Sequence, residues 1–395
     1  MAMPTATIDV DSHEMAPTHV WGEMFGEHSA RFADAAMGML SKLGNNSVVY
    51  PGLSDDAEIN EHSVWNTKGP TAPGAFDFDR RIEVLDVMGT RRQLVFPTSA
   101  LLGFTILLDK GGRLRSMFGL DDTPEVSEML WGVIREYNDW AVRTTAGHAD
   151  RYRAATLMVA DTVDDLMREA TEMVASGAKA IWLPDATPPG GLSPADHALD
   201  PFWSLLEEAD VAATLHIGTE SGFRASEQWA KVLPEFEPIK LDSAEITFDP
   251  YTATTMHMVP ANYLVTMVMG GVFERHPNLR FGALEQGASW LGYLAEHLDV
   301  WAAAPFRKRM ATILSMPPSH YFARNVRVTP FYFEPIDVYL DRHPDLVDCY
   351  AYSTDYPHNE GGPEAKSRLY EKIAPLGDDV VRKFFVTNGE WLLPD

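Results

Sequence analysis

Short apolar runs and longer stretches with apolar residues at helical spacing follow one another through most of this chain. Residues 6–11 read as a strand, 81–88 as a helix stopped by Gly89, and 92–96 as a second strand ending at Pro97-Thr98. The middle repeats the order. Residues 129–144 have helical spacing, 152–159 suit a strand, 161–175 a helix ended by Gly177, 179–183 a strand, 201–209 a helix and 211–216 a strand. Further on, 261–275 and 290–301 read as helices, 279–284 and 350–353 as strands, and 369–373 starts a terminal helical region. Strand-then-helix units predict a parallel α/β architecture. Their number predicts a distorted (β/α)8 TIM barrel over residues 1–395, with inserted loop and helical excursions near 41–78 and 302–330. Neither a Gly-x-Gly-x-x-Gly fingerprint nor a phosphate-binding Walker loop is present, which argues against a doubly wound nucleotide-binding sheet.

Composition narrows the function class. Hydrophobic residues are 45% of 395, an ordinary globular content. Lys plus Arg is 32 against 57 for Asp plus Glu, a net charge of −25, so nucleic acid and anionic membranes are not expected partners. The chain shows neither a basic-then-apolar leader nor an apolar stretch of about 20 residues, and a cytoplasmic location is the expectation. Cys349, in a segment that reads as a strand, is the one cysteine, which excludes an internal disulfide and a thiolate zinc cluster.

Polar residues at strand ends carry the candidate chemistry. Asp11 and His13 are one residue apart, so strand alternation turns both to one side, where they can grip a cation. The bland alternative is a turn with a surface histidine. His216 ends an apolar run, the position that faces the mouth of a barrel, and a packed core histidine is its alternative. Glu285 follows Phe-Gly-Ala-Leu, where a carboxylate must be solvated, paired or bound to a cation, or else stabilise the next helix. Asp355 follows Ala-Tyr-Ser-Thr and could bind metal or accept a proton from water. His358 could orient Asp355 or contact substrate, and His257 could complete a second metal site, touch substrate, or pack in the core. Arg91 and Arg92 are weaker candidates for binding an anion.

The segments Asp9-Val-Asp-Ser-His13, Leu215-His216-Ile-Gly218, 276–285 and Ser353-Thr-Asp-Tyr-Pro-His358 together resemble the amidohydrolase superfamily, in its amidohydrolase-2 (ACMSD-like) branch. The resemblance implies a distorted (β/α)8 barrel holding one or two divalent ions, iron, zinc or manganese. It places Asp11 and His13 at the first motif, His216 after the fifth strand and Asp355 after the eighth. Glu285 stands where the family often has a histidine, which weakens transfer of the usual decarboxylase mechanism. The carboxylate-rich pattern also resembles a diiron thioesterase lineage of diterpenoid antibiotic biosynthesis. The leading expectation is a metal-dependent hydrolase cleaving a carbonyl-centred bond of a small carboxylic acid derivative, such as a thioester of a bulky apolar acid. Asp355, Glu285 and His358 would be catalytic, and Asp11, His13, His216, Glu285, Asp355 and His257 would hold metal. Non-oxidative decarboxylation of a carboxylic acid and non-catalytic metal-dependent binding are the alternatives, and a homodimer is an expected state.

Overall fold

The β-prone runs lie side by side in parallel, each followed by helical chain that covers the sheet. The computed structural model describes residues 3–40, 49–220, 229, 233–237, 239–240, 247–358 and 361–395. Its strands are β1 Thr7–Asp9, β2 His13–Glu14, β3 Thr90–Pro97, β4 Tyr152–Ala154, β5 Thr156–Leu157, β6 Ala180–Trp182, β7 Ala212–His216, β8 Ile239–Lys240, β9 Thr247–Phe248, β10 Phe281–Leu284 and β11 Val326–Val328. β1 and β2 are two pieces of one stave, and both pair with β3, Thr7 against Thr90 and His13 against Phe96. One stave likewise contains β4, paired to β3, and β5, paired to β6. The order then runs β6, β7, β10, β11. Parallel bridges from Val328 to Tyr350 and from Ser12 to Tyr356 bring the last extended segment between β11 and the first stave. Eight staves thus close a distorted (β/α)8 barrel, with β8 and β9 as a small antiparallel hairpin outside it.

Local chemistry explains the element ends. The Asp77 side chain accepts from the amides of Asp79 and Arg80 and starts helix Phe78–Met88, which Gly89 ends at φ 64°. Thr162 caps Val163–Ser176, and Gly177 ends it at φ 101°. Thr123 and Pro124 start the long helix Pro124–Ala146.

Three expectations shift. The predicted helix at 261–275 is two helices, Met258–Met269 and Val272–Arg275, because Gly271 takes φ 74° between them. The stretch 302–330 contains the seventh stave, Val326–Val328, too short for its apolar pattern to stand out. Cys349 ends a 3-10 turn, Pro344–Cys349, rather than lying in a strand; it is buried, and burial pushes its thiol up to about 12, so it is an inert core group. Of the 41–78 excursion, residues 41–48 lie outside the described residues, and the remainder includes helix Glu61–Asn66 and a 3-10 turn, Gly69–Thr71.

Candidate metal centre

Each expected ligand except His257, which precedes helix Met258–Met269, comes from the carboxyl end of a stave. Asp11 and His13 lie between and within β1 and β2, His216 is the last residue of β7, Glu285 follows β10, and Asp355 follows the eighth stave. Beneath them the rings of Phe96 and Trp182 pack on His216, at centroid distances of 4.3 and 4.8 Å. This aromatic floor fixes the imidazole. Its Nδ1 lies 2.9 Å from the Ile217 carbonyl, an acceptor, so Nδ1 carries the hydrogen and Nε2 faces the carboxylates.

Nε2 of His216 lies 3.2 Å from Asp11 Oδ1 and 3.0 Å from Glu285 Oε2. Nε2 of His13 lies 3.3 Å from Asp355 Oδ1 and 3.5 Å from Glu285 Oε2. His358 stacks on His13 at 3.8 Å, and its Nδ1 lies 3.0 Å from Asp355 Oδ1. Two overlapping donor sets result, each within 4.8 Å: Asp11, His13, His216 and Glu285, and then His13, Glu285, Asp355 and His358. The second shares His13 and Glu285 with the first. An imidazole Nε2 serves one ion, whereas a carboxylate has two oxygens and can bridge.

The electrostatics are those of a cluster built for a cation. Burial raises Asp11, even against the pull of His216. Burial opposes protonation of His216, yet Asp11 and Glu285 more than offset it and lift it well above its ordinary value. Burial and the facing Asp355 push Glu285 up, but His13 and His216 outweigh them and hold it low. Burial likewise pushes Asp355 up, and His358 and His13 hold it well below the usual carboxylate range. His13 Nε2, Glu285 Oε2 and both oxygens of Asp355 are buried and make no hydrogen bond of good geometry among the described residues. Buried polar atoms are rarely left so. A divalent cation held by these residues would give such atoms a partner, and mixed carboxylate and imidazole donors suit iron, manganese or zinc without selecting one.

The backbone is strained where the carboxylates are. Glu285 and Asp355 take φ 52° and 53°, left-handed values that cost a non-glycine residue about 1 kcal/mol or more. Surrounding bonds hold both. The Glu285 amide donates to Thr329 Oγ1 at 2.9 Å, and the Asp355 amide to the Asp11 carbonyl at 2.9 Å.

Some contributors were missed in the sequence. Glu334, 7% exposed, accepts from the amides of Ala288, Ser289 and Phe331, which ties the turn after Glu285 to the loop after β11. Arg81, fully buried, donates to the carbonyls of His13 and Tyr356 and so joins the first and last staves. The available signal was an arginine on the apolar face of its helix. Asp185 accepts from Gln286 Nε2 at 2.8 Å, beside Glu285. Arg91 and Arg92 instead bind the chain end, through Glu390 and Asp395.

A groove of about 670 Å³ opens beside the cluster, with Glu285 on its wall. Pro250, Met256, His257, Phe331 and Phe333 line it. The two phenylalanine rings stack at 5.3 Å. His257 therefore shares the groove with Glu285 but belongs to neither donor set among the described residues. Neither lysine nor arginine lines the groove among those residues. No described helix is long and apolar enough to cross a membrane.

Solved structures share the architecture. An amidohydrolase from Mycobacterium avium subsp. paratuberculosis K-10 is 18% identical with a TM-score of 0.66, covering 100% of this chain and 99% of that one. A 5-carboxyvanillate decarboxylase from Novosphingobium aromaticivorans DSM 12444, complexed with manganese and 4-hydroxy-3-methoxy-5-nitrobenzoic acid, is 18% identical with a TM-score of 0.57, covering 100% and 99%. A 2,6-dihydroxybenzoate decarboxylase from Rhizobium is 15% identical with a TM-score of 0.53, covering 98% of each chain. At these identities the likeness shows the fold. No curated protein matches the chain. Residues 122–394 match the family Amidohydro_2, described as amidohydrolase, a span of more than half the chain. With its barrel and its carboxylate–imidazole cluster for a divalent metal, the chain belongs to the amidohydrolase family, as a metal-dependent enzyme of that superfamily.

Proposed function

We propose that this enzyme removes carbon dioxide from an apolar, ring-bearing carboxylic acid without oxidation. One observation carries the proposal: the cluster borders a groove of about 670 Å³ walled by stacked phenylalanines, with Glu285 on that wall. A groove of that size takes a small molecule. The manganese-containing decarboxylase of like fold, with its bound nitrobenzoic acid, supports the reading.

Asp11, His13, His216, Glu285 and Asp355 would hold the metal. The bound cation supplies positive charge that offsets the substrate carboxylate and the charge developing on the substrate as the bond breaks. The chain's own residues do the rest. Phe331, Phe333 and Met256 seat the apolar body and exclude water. Glu285, kept ionised by His13 and His216, is suited to ligation rather than proton delivery. His257 on the groove wall is half-buried, and burial lowers its pKa, which makes its imidazolium a readier acid. Its ring nitrogen gives a proton to the carbon as the bond to the carboxyl carbon breaks and carbon dioxide leaves. Solvent then restores the proton. His358 holds Asp355 through its Nδ1, which fixes that carboxylate against His13.

A second reading is favoured by the charge of the groove. With three carboxylates in the cluster and neither lysine nor arginine lining the groove among the described residues, an anionic substrate meets little positive charge there besides the metal and His257, whereas a neutral thioester or amide needs none. Water would then be consumed and an acid released with a thiol or amine. Product analysis of the metal-reconstituted enzyme on apolar aryl acids and their thioesters and amides separates the two. Carbon dioxide without water consumption is the expected result. Acid plus thiol or amine establishes hydrolysis instead. Tight substrate binding without turnover across the panel overturns both and makes the chain a binding protein.

A further inference from the structure

Three neighbouring staves end around one buried carboxylate. The sheet order runs β6, β7, β10, so the stave of His216 lies between the other two. Asp185 stands just beyond β6, Thr219 in the loop that follows His216, and Gln286 directly after Glu285. Asp185 Oδ1 accepts from Thr219 Oγ1 at 2.6 Å, and its Oδ2 accepts from Gln286 Nε2 at 2.8 Å. The same Thr219 hydroxyl accepts from the Asp185 amide at 3.0 Å. One side chain from the fourth stave therefore reaches over the fifth to the sixth, with one oxygen for each.

Asp185 has no part in holding the ion, for it belongs to neither donor set among the described residues. Nor is it a cheap group to bury. It is 6% exposed, and burial together with the facing Glu220 carboxylate pushes it up to about 7. The side-chain donors that the described residues offer it, a hydroxyl and an amide, are both neutral. A buried acid held by neutral donors alone adds little to stability. Its geometry gives it another use.

The bracket joins two ligand loops. His216 Nε2 and Glu285 Oε2 lie 3.0 Å apart. Glu285 takes φ 52°, and its amide is tied to Thr329, beyond the seventh stave. Gln286 ties the other flank of this strained residue to the fourth stave. His216 packs on Trp182, which comes from the same stave as Asp185, and Thr219 fastens the loop that follows it.

We propose that Asp185 is a positioning residue of the metal centre, which sets the spacing of His216 and Glu285 through Thr219 and Gln286. The role rests on hydrogen bonds rather than charge. An asparagine at 185 keeps an oxygen for the Thr219 hydroxyl. Its NH2 group would face the Gln286 amide, whose own Oε1 is buried without a hydrogen bond among the described residues and becomes the acceptor when that amide turns over. Asp185→Asn therefore preserves the bracket, and Asp185→Ala removes it.

The test is titration of the full-length, metal-stripped protein with manganese, the free ion followed by electron paramagnetic resonance. Asp185→Ala should weaken manganese binding about 10–100-fold. Thr219→Val and Gln286→Met each remove one arm; each should weaken binding, and neither should weaken it further once Asp185→Ala is present. Asp185→Asn should bind nearly as the wild type does. With cobalt in the site, the visible spectrum should shift in Asp185→Ala and not in Asp185→Asn, because it reports ligand geometry. A purely structural role predicts a lower Tm with manganese affinity and cobalt spectrum unchanged below the transition, and that result overturns the proposal. Equal losses in Asp185→Asn and Asp185→Ala would also overturn it, by assigning the effect to charge. Should Asp185→Ala not fold, unchanged affinity in both Thr219→Val and Gln286→Met would do so alone. Turnover is not measured, so the outcome is independent of whether the substrate loses carbon dioxide or is hydrolysed.

Discussion

Glu285 and Asp355 hold left-handed backbone at the ends of two staves, a conformation that costs each about 1–3 kcal/mol. The bonds that sustain it are few enough to test singly. Thr329→Val removes the hydroxyl that accepts the Glu285 amide and leaves a buried donor unpaired, so stability should fall by about 1–3 kcal/mol. Metal affinity should fall with it, because the Glu285 carboxylate is no longer held; urea unfolding and metal titration measure the two effects. Asp355→Asn keeps the shape but removes the charge facing His13 and His358. Turnover should drop at least 100-fold with the fold intact, and near-normal activity at full metal occupancy would reject the role assigned to Asp355. His257→Gln should lower kcat by a similar factor while leaving metal content unchanged; a loss of metal would move His257 into the ligand set. At this scale much was legible. Asp11, His13, His216, Glu285 and Asp355 stand out because a charged or imidazole group directly after apolar strand residues needs a partner. Arg81 showed only as an arginine on an apolar helix face and Glu334 not at all, because the groups that give them their role, the carbonyls of His13 and Tyr356 and the amides of Ala288 and Ser289, are distant in sequence.

At the scale of elements, helix Glu27–Leu40 starts on an acceptor lent by another helix. Glu136, within Pro124–Ala146, accepts from the amides of His28 and Ser29 and from Ser29 Oγ. Burial pushes its carboxyl up, but these hydrogen bonds outweigh it and the net shift is downward. A depressed folded-state pKa means that this stabilisation is complete above the ordinary value of 4.5 and is lost as pH falls through the lower folded value. Glu136→Gln should therefore cost about 1–2 kcal/mol at pH 7, and the gap from wild type should narrow below pH 4.5. A gap independent of pH would place the effect in packing. The same helix pair crosses closely at Gly132, where an added Cβ would lie 2.2 Å from His28 Cγ. Element reading from sequence succeeded at the local glycine stops, Gly89 and Gly177, but set the starts at 81 and 161 where Asp77 and Thr162 cap helices beginning at Phe78 and Val163. It failed where tertiary pairing defines the element. The three residues of Val326–Val328 are a stave only because neighbours pair with them, whereas 350–353, read as a strand, does supply the last stave.

For the whole molecule, the barrel brings together carboxylates separated by 344 positions, Asp11 and Asp355, within a buried cluster. Such a concentration of like charge opposes folding unless a cation is bound. Metal that binds the folded chain alone should add about 2.7 kcal/mol at a hundredfold excess over Kd and raise Tm by several degrees, and chelator should reverse it. An unchanged Tm would show that the cluster is satisfied by protons alone. The closure of the ring followed from counting strand–helix units, but ion number did not. The two donor sets share His13 and Glu285, and that overlap exists only in the folded arrangement. The most direct measurement is anomalous diffraction at the metal edges on protein purified without chelator. The account predicts a peak about 2.0–2.3 Å from both His13 Nε2 and His216 Nε2, with a carboxylate oxygen of Asp11, Glu285 or Asp355 completing its contacts. Protein that is catalytically active yet shows no anomalous density among these five residues would contradict it.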